Sequence, residues 1–245
     1  MKGLILAARY VLKPAELRIC IEDKEKFDAL LVFLKNPAKF TTQARQVLEQ
    51  MPVCYPYLKI ISQAHGIHNP FDLSVVQAYF IGNSLLEGIE PKLIRQMLMV
   101  EFSKLQFLDK EELEKRINSL SENFIPHHTF HVYCFGSVTG KVEPIPEMLD
   151  LCRISWGHIA IILDKKVWID YYPIIQDSKG KFILAEEPQR IKIDISRLPT
   201  PEVDAGDWVS LHWKQICQKL TPSQLEDLRK YTVLALDIAN AKGEV

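Results

Sequence analysis

Near its C-terminal end the sequence reads Gly206-Asp207-Trp208-Val209-Ser210-Leu211-His212. Glycine and aspartate are typical of a turn, and the residues that follow them favour a β-strand that ends in the histidine. Farther along, Thr221 and Gln224 match a capping box, and Pro222 stands at the first helical position, where proline is favoured. The sequence therefore predicts a strand followed by a capped C-terminal helix.

Four more short runs upstream of this strand are rich in β-favouring residues and are separated by turn residues. The five predicted strands are Ile159–Leu163, Val167–Tyr172, Lys181–Leu184, Arg190–Ile195 and Trp208–His212. Five short strands with tight turns favour a small OB-like β-barrel.

The first half of the chain follows a helical periodicity instead. Asp23 is a good N-cap, and Phe27, Leu30, Leu31 and Leu34 recur at the spacing of one helix face. Further helices are predicted near Thr41–Met51, Tyr55–Ala64, Asp72–Glu87 and Pro91–Leu105. We therefore expect an α+β protein with an N-terminal helical domain (residues 1–122), a connecting segment (123–150), and an OB-like barrel with a C-terminal helix (151–245).

The composition excludes several classes of function. The 245 residues are 47% hydrophobic and 25% charged with a formal net charge of -1, so bulk charge does not suggest a nucleic-acid partner. The apolar stretch Leu4–Ala8 is far shorter than the ~18 residues that span a bilayer, so no membrane partner is expected. Five cysteines form an odd number without a CxxC pair, which favours a reducing cytoplasm.

The connecting segment is dense in potential metal ligands. It carries three of the seven histidines, His127, His128 and His131, and a cysteine within eight residues. The aromatic and β-branched run Phe130–Phe135 predicts a strand, in which His127 and His131 would share one face and His128 would lie on the other. These imidazoles could bind a metal. The alternative is a turn in which the histidines cap backbone groups.

A second pattern precedes the first predicted strand and reads Cys152-Arg153-Ile154-Ser155-Trp156-Gly157-His158-Ile159. Followed by β-rich sequence and then the stretch that ends in His212, it resembles the HypC/HupF family of [NiFe]-hydrogenase maturation chaperones. Members of that family carry C-x-x-I-P-G-x-[IV], then G-D-[YW]-V-x-x-H, then a C-terminal helix. The resemblance covers some 90 residues, with Trp156 at the family's proline position and Cys152 inside the chain.

The resemblance implies a function and a pair of site residues. In the HypC family the cysteine and the histidine are associated with an iron atom that bears cyanide and carbon monoxide. The family's proteins escort this atom between HypD and the precursor of the hydrogenase large subunit. Carried over, those roles fall on Cys152 and His212, with iron as the metal and a HypD-like or large-subunit-like protein as the partner. An accessory protein is then expected rather than an enzyme, and a thiolate with an imidazole suits low-spin iron.

The whole chain is also similar to an uncharacterised family of prokaryotic proteins with a helical N-terminal domain. The shared features are Ala8-Arg9-Tyr10, Cys20, Tyr55-Pro56-Tyr57-Leu58 and the segment from Pro126 to Val132. Two other functions stay open on the sequence. One is a metal-dependent enzyme with a site at the domain interface, built from His127, His131 and Cys152. The other is an interaction scaffold in which Cys152 is buried and inert.

Overall fold

The computed structural model describes residues 1–105, 109–120, 124–136 and 140–241. Helices dominate the first half and a sheet the second. The helices are α1 (Lys2–Glu16), α2 (Lys24–Lys35), α3 (Pro37–Glu49), α4 (Cys54–Ala64), α5 (Leu73–Phe80), α6 (Pro91–Phe102), α7 (Lys110–Asn118), α8 (His128–Phe130), α9 (Pro146–Cys152) and α10 (Pro222–Ala241). A 3-10 turn at Ser84–Leu86 follows α5, and a π-helical turn at His131–Phe135 continues α8.

The strands form two antiparallel sheets. They are β1 (Ser155–Leu163), β2 (Lys166–Tyr171), β3 (Ile174–Gln176), β4 (Phe182–Leu184), β5 (Gln189–Asp194), β6 (Trp208–His212) and β7 (Gln215–Lys219). The larger sheet has the order β5-β2-β1-β6-β7, and β3 pairs only with β4. The predicted α+β class is confirmed. The strands of the described residues form an open sheet rather than a closed barrel, because β5 and β7 are its two edges.

The predicted helix starts are confirmed by their hydrogen bonds. The side chain of Asp23 accepts from the backbone amide of Glu25 at the start of α2. At α10 the Gln224 amide donates to the Thr221 hydroxyl at 3.2 Å, and the Thr221 amide donates to the Gln224 side chain at 3.0 Å. Both exchanges of a capping box are therefore present, and they hold α10 at the end of β7.

The strand predicted at Phe130–Phe135 is wrong, because this segment is helical. His127 caps it, since its Nδ1 accepts from the backbone amide of Thr129 at 3.3 Å. Every residue from His127 to Phe135 is buried, so the segment has no exposed face whose polar residues could reveal the helical period. The aromatic and β-branched residues that suggested a strand line the interior on all sides of a helical turn instead.

One hydrophobic core runs through both halves of the chain. It contains residues of α1 to α7 together with Ile154, Trp156, Cys217 and one face of α10. Helix α1 contacts the sheet directly, because the hydroxyl groups of Tyr10 and Ser210 are 2.8 Å apart. The helical half therefore packs on the sheet and forms a wall of the site described below. Across the described residues, none of the helices combines the length and the apolar character that a membrane crossing needs.

Candidate metal centre

Three potential metal ligands meet where α8, α9 and β6 come together. His128 begins α8, Cys152 ends α9, and His212 ends β6. One donor atom from each residue lies within 4.8 Å of the other two. The pairing of Cys152 with His212 was predicted, and the structure adds His128 to it. Cys152 and His212 follow His128 by 24 and 84 positions in the chain. The junction of the helical segment with the sheet brings the three residues together.

Backbone contacts hold the three elements in this arrangement. The Trp213 amide donates to the carbonyl oxygen of Leu151 at 2.9 Å, which ties the β6–β7 turn to the end of α9. His128 Nε2 lies 2.9 Å from the carbonyl oxygen of Cys152 and donates to it, because a carbonyl can only accept. The turn itself uses two left-handed residues, Trp213 at φ 52° and Lys214 at φ 57°. Such a turn matches the twist of the strands that it joins.

A buried ion pair fixes the residues on either side of Cys152. Arg153 is fully buried, and its Nε donates to Asp150 at 2.8 Å. The guanidinium also donates to the carbonyl oxygen of Tyr172 at 2.6 Å, and Asp150 accepts from the amide of Ile174 at 2.8 Å. This network joins the end of α9 to the sheet, so the backbone at Cys152 has little freedom to move.

His212 presents an unpaired nitrogen to the site. Its Nδ1 donates to the backbone carbonyl of Tyr10 at 2.6 Å, which places the ring proton on Nδ1. Nε2 is therefore a lone-pair acceptor. It is buried and makes no hydrogen bond of normal geometry within the described part of the chain, although the nearby carbonyl of Cys152 acts on the ring. Burial lowers the pKa of His212 to about 4, so the ring is neutral at pH 7. A neutral imidazole whose second nitrogen is held by a carbonyl is the form that binds metals.

His128 is held from both sides. Its Nε2 donates to the Cys152 carbonyl, so its Nδ1 accepts from the Tyr79 hydroxyl at 3.0 Å. Burial lowers the pKa of His128 well below its usual value, and the nearby His212 ring lowers it further. A hydroxyl can accept as well as donate, so the proton of His128 can move to Nδ1 and remain bonded to Tyr79. His128 Nε2 would then be free to bind a metal.

Cys152 supplies the thiol of the group. The residue is half-buried and packs on Ile19, Val142 and Trp213. Burial raises the pKa of its thiol, so the sulfur is protonated at pH 7 in the metal-free protein. A metal ion would have to displace this proton, because the thiolate is the form that coordinates.

The donor group opens on an apolar cavity of about 60 Å³. Its lining has donor side chains in an otherwise hydrophobic wall; the donors are Cys20, Cys54, His128, His131, Cys152 and His212. The volume exceeds the ~10–15 Å³ that one water molecule requires, so a metal ion with a small additional ligand fits. Low polarity around the donors would strengthen the attraction between a cation and a thiolate.

The other two predicted histidines have different surroundings. His131 lines the same cavity, but its Nδ1 lies 3.2 Å from the Tyr57 hydroxyl and its ring stacks on Phe135. His127 stacks on Tyr231 of α10, at a ring distance of 5.9 Å. Burial lowers the pKa of both to about 3. Neither belongs to the three-donor group found among the described residues, so a site built from His127, His131 and Cys152 is not assembled there.

Sequence reasoning missed the groups that orient the two histidine ligands. Tyr79 lies in the apolar helix α5, and Tyr10 acts through its backbone carbonyl in α1. In the sequence, a core tyrosine that hydrogen-bonds a histidine cannot be told from one that does not. Every residue has a backbone carbonyl, so the sequence does not show which one binds a histidine. Only the placement of α1 and α5 against the sheet reveals these contacts.

The geometry suits a transition metal that prefers nitrogen and sulfur. A tetrahedral ion with bonds of ~2.0–2.3 Å places its ligands roughly 3.4 Å apart, so the donors would have to close by up to about 1.4 Å. Two imidazoles and a thiolate are ligands of zinc, copper and iron, whereas magnesium and calcium prefer oxygen. Three protein ligands also leave a coordination position for a fourth group.

Comparisons with known proteins give a family and no activity. No curated protein matches the chain, and no solved structure matches it. A family model described as "Family of unknown function (DUF6390)" matches residues 1–245. The match covers both the helical half and the sheet, and therefore all three donors. The chain belongs to this family of unknown function, DUF6390.

Proposed function

We propose that this protein binds a transition-metal ion through His128, Cys152 and His212 and serves as an accessory protein in the assembly of a metalloenzyme. One observation carries the proposal. Three soft or borderline donors lie within 4.8 Å of one another, and one of them is a buried imidazole nitrogen that makes no hydrogen bond of normal geometry among the described residues. An unpaired buried polar atom is costly in a folded protein, and a bound metal would remove that cost.

The resemblance to the HypC/HupF family narrows the proposal. It favours iron as the metal, [NiFe]-hydrogenase maturation as the process, and a HypD-like or large-subunit-like protein as the partner. All five cysteines are free thiols, which supports a role in the cytoplasm, where thiols stay reduced. In this protein Cys152, the first of the two ligands implied by the resemblance, ends a helix. His128 joins Cys152 and His212 as a second histidine. Three protein ligands with one open position is also the pattern of catalytic metal sites, and in a carrier the open position would receive a donor from the partner protein.

Metal content tests the first part of the proposal. The full chain is produced under anaerobic conditions, stripped with a chelator, and titrated separately with Fe(II), Zn(II) and Co(II). We expect one ion per chain, and we expect Cys152→Ser and His212→Ala to lose it. His68→Ala is the matched control, because His68 is outside the three-donor group. If the wild-type protein binds none of these ions, the proposed function is rejected.

Partner binding tests the second part. The protein is co-expressed with HypD and, separately, with a hydrogenase large-subunit precursor, and each complex is isolated without oxygen. We expect a complex that weakens when Cys152 is replaced, and infrared bands of iron-bound cyanide or carbon monoxide. If the protein binds one metal ion per chain but forms no complex and shows no such infrared bands, it is a metal-binding protein and the hydrogenase role is rejected.

A further inference from the structure

Cys20 stands beside the three-donor group without belonging to it. It lies in the connection between α1 and α2 and lines the same cavity as His128, Cys152 and His212. Of the five cysteines, only Cys20 and Cys152 are half-buried, whereas the other three are buried. Both pack against the same three side chains, Ile19, Val142 and Trp213. The two half-buried cysteine residues of the protein therefore line one cavity and pack on one small hydrophobic cluster.

The two thiols are also coupled electrostatically. Cys20 lies close enough to Cys152 for a charge on one sulfur to act on the other. Two thiolates in an apolar cavity repel each other, and a divalent cation between them would turn this repulsion into attraction. Burial raises the pKa of Cys20 to about 12, and the nearby Lys141 opposes this by favouring the thiolate.

The three donors alone do not complete a four-coordinate ion. A water molecule could supply the fourth ligand, but the cavity wall offers it few polar partners besides the donors themselves. His131 is engaged by Tyr57, and Cys54 is buried within α4. Cys20 is half-buried and lies outside any helix or strand, so its side chain can move toward the ion with little change in the fold.

We propose that Cys20 is the fourth ligand, so that the bound metal has two cysteines and two histidines. This inference rests on the proposed function and adds a consequence to it. Cys20 reaches the metal from a loop, while the other three ligands are held by α8, α9 and β6. Cys20 is then the ligand that can leave and open a coordination position for a donor from a partner protein.

Cobalt spectroscopy tests this ligand set. Co(II) is added to the full-length, reduced apoprotein, and the sulfur-to-cobalt charge-transfer absorption is measured for wild type, Cys20→Ser and Cys54→Ser. We expect a four-coordinate spectrum in all three and about half the charge-transfer intensity in Cys20→Ser, because one of two thiolates is lost. The affinity of Cys20→Ser should fall at least about tenfold, since the loss of even an outer contact costs 10–100-fold. Cys54→Ser should match wild type, although Cys54 lines the same cavity.

Alkylation of the wild-type protein gives a readout that does not depend on the folding of a variant. Bound Zn(II) should slow the labelling of Cys20 and Cys152 together, as measured by peptide mass spectrometry. Equal charge-transfer intensity in wild type and Cys20→Ser, or protection of Cys152 without Cys20, would overturn the assignment of Cys20 and leave the three-ligand site standing. No binding of cobalt by the wild-type protein would reject the metal site itself, and the fourth ligand with it.

Discussion

The backbone amide of Trp213 donates to the carbonyl oxygen of Leu151, so the residue after one proposed ligand is bonded to the residue before another. This bond sets the separation of Cys152 and His212 through the main chain rather than through their side chains. The sheet and α9 therefore position both ligands before any metal is present. Such preorganisation reduces the cost of ordering the ligands on binding.

Replacing Tyr79 by phenylalanine should weaken metal binding about 10–100-fold, because Tyr79 is the partner that orients His128. The fold should survive, since only a hydroxyl is removed. Competition titration with a chromophoric chelator measures the affinity. Tyr55→Phe is the matched control, because Tyr55 is a half-buried tyrosine that stacks on Phe71 away from the donors. Equal affinities of the two variants would contradict the role given to Tyr79.

Removing Asp150 should destabilise the protein far more than removing a surface carboxylate. Asp150→Ala leaves the fully buried Arg153 without its counter-ion, which costs about 3–5 kcal/mol in the free energy of unfolding. Asp170→Ala breaks a two-bond ion pair with Arg190 on the surface, and should cost no more than about 1 kcal/mol. Urea denaturation of both variants gives the comparison. A small loss of unfolding free energy in Asp150→Ala would show that the buried ion pair contributes little to the stability of the fold.

The apoprotein should lose stability in acid through its buried histidines. Burial lowers the pKa of His127 and His131 to about 3 and that of His212 to about 4, below their value in the unfolded chain. Between pH 6.5 and about 4 the unfolded chain therefore binds more protons than the folded one, so the free energy of unfolding falls as the pH falls. Each histidine contributes up to about 1.4 kcal/mol per pH unit. Thermal unfolding followed by circular dichroism across this range measures the slope, and a flat profile would contradict it.

Glycine at position 157 is required by a close approach of two strands. A Cβ atom there would lie 2.3 Å from Cγ2 of Ile169 and 3.2 Å from the carbonyl oxygen of Asp170. Gly157→Ala should lower the free energy of unfolding by about 1–3 kcal/mol, as overpacking usually does. Adding Ile169→Ala removes the clashing atom, so the double variant should be less destabilised than the sum of the single ones. If the destabilisation of the double variant in urea equals the sum of the two single ones, the clash with Ile169 is not the cause of the destabilisation in Gly157→Ala.

Much of the fold follows from the sequence because its signals are local. The caps at Asp23 and Thr221, the strand that ends at His212 and the helical first half depend on neighbours within a few residues, and all of them are present. Three elements at the site were not predicted as they occur, namely α8, where a strand was expected, α9 and β7. Helix α9 has only seven residues, and β7 follows a turn made by Trp213 and Lys214, neither of which is a typical turn residue.

The site could be predicted only in part, since its assembly depends on distant contacts. The resemblance pointed to Cys152 and His212, and the density of histidines pointed to His128 together with His127 and His131. The choice among those three depends on which face of a fully buried helical turn meets α9, and a segment without an exposed face does not encode that. Cys20 was noted as a shared feature of related chains, and its place beside Cys152 follows only from how α1 and the sheet pack together.

The hydrogen bond from His212 to the carbonyl of Tyr10 joins residues that are 202 positions apart in the chain. During synthesis, α1 leaves the ribosome long before β6 exists, so the ring cannot be oriented until the polypeptide has been translated past His212. Contacts of such long range form slowly and late in folding. The protein would therefore bind its metal only after α1 has packed against β6. A bound ion would then be found only in molecules that have already folded this far.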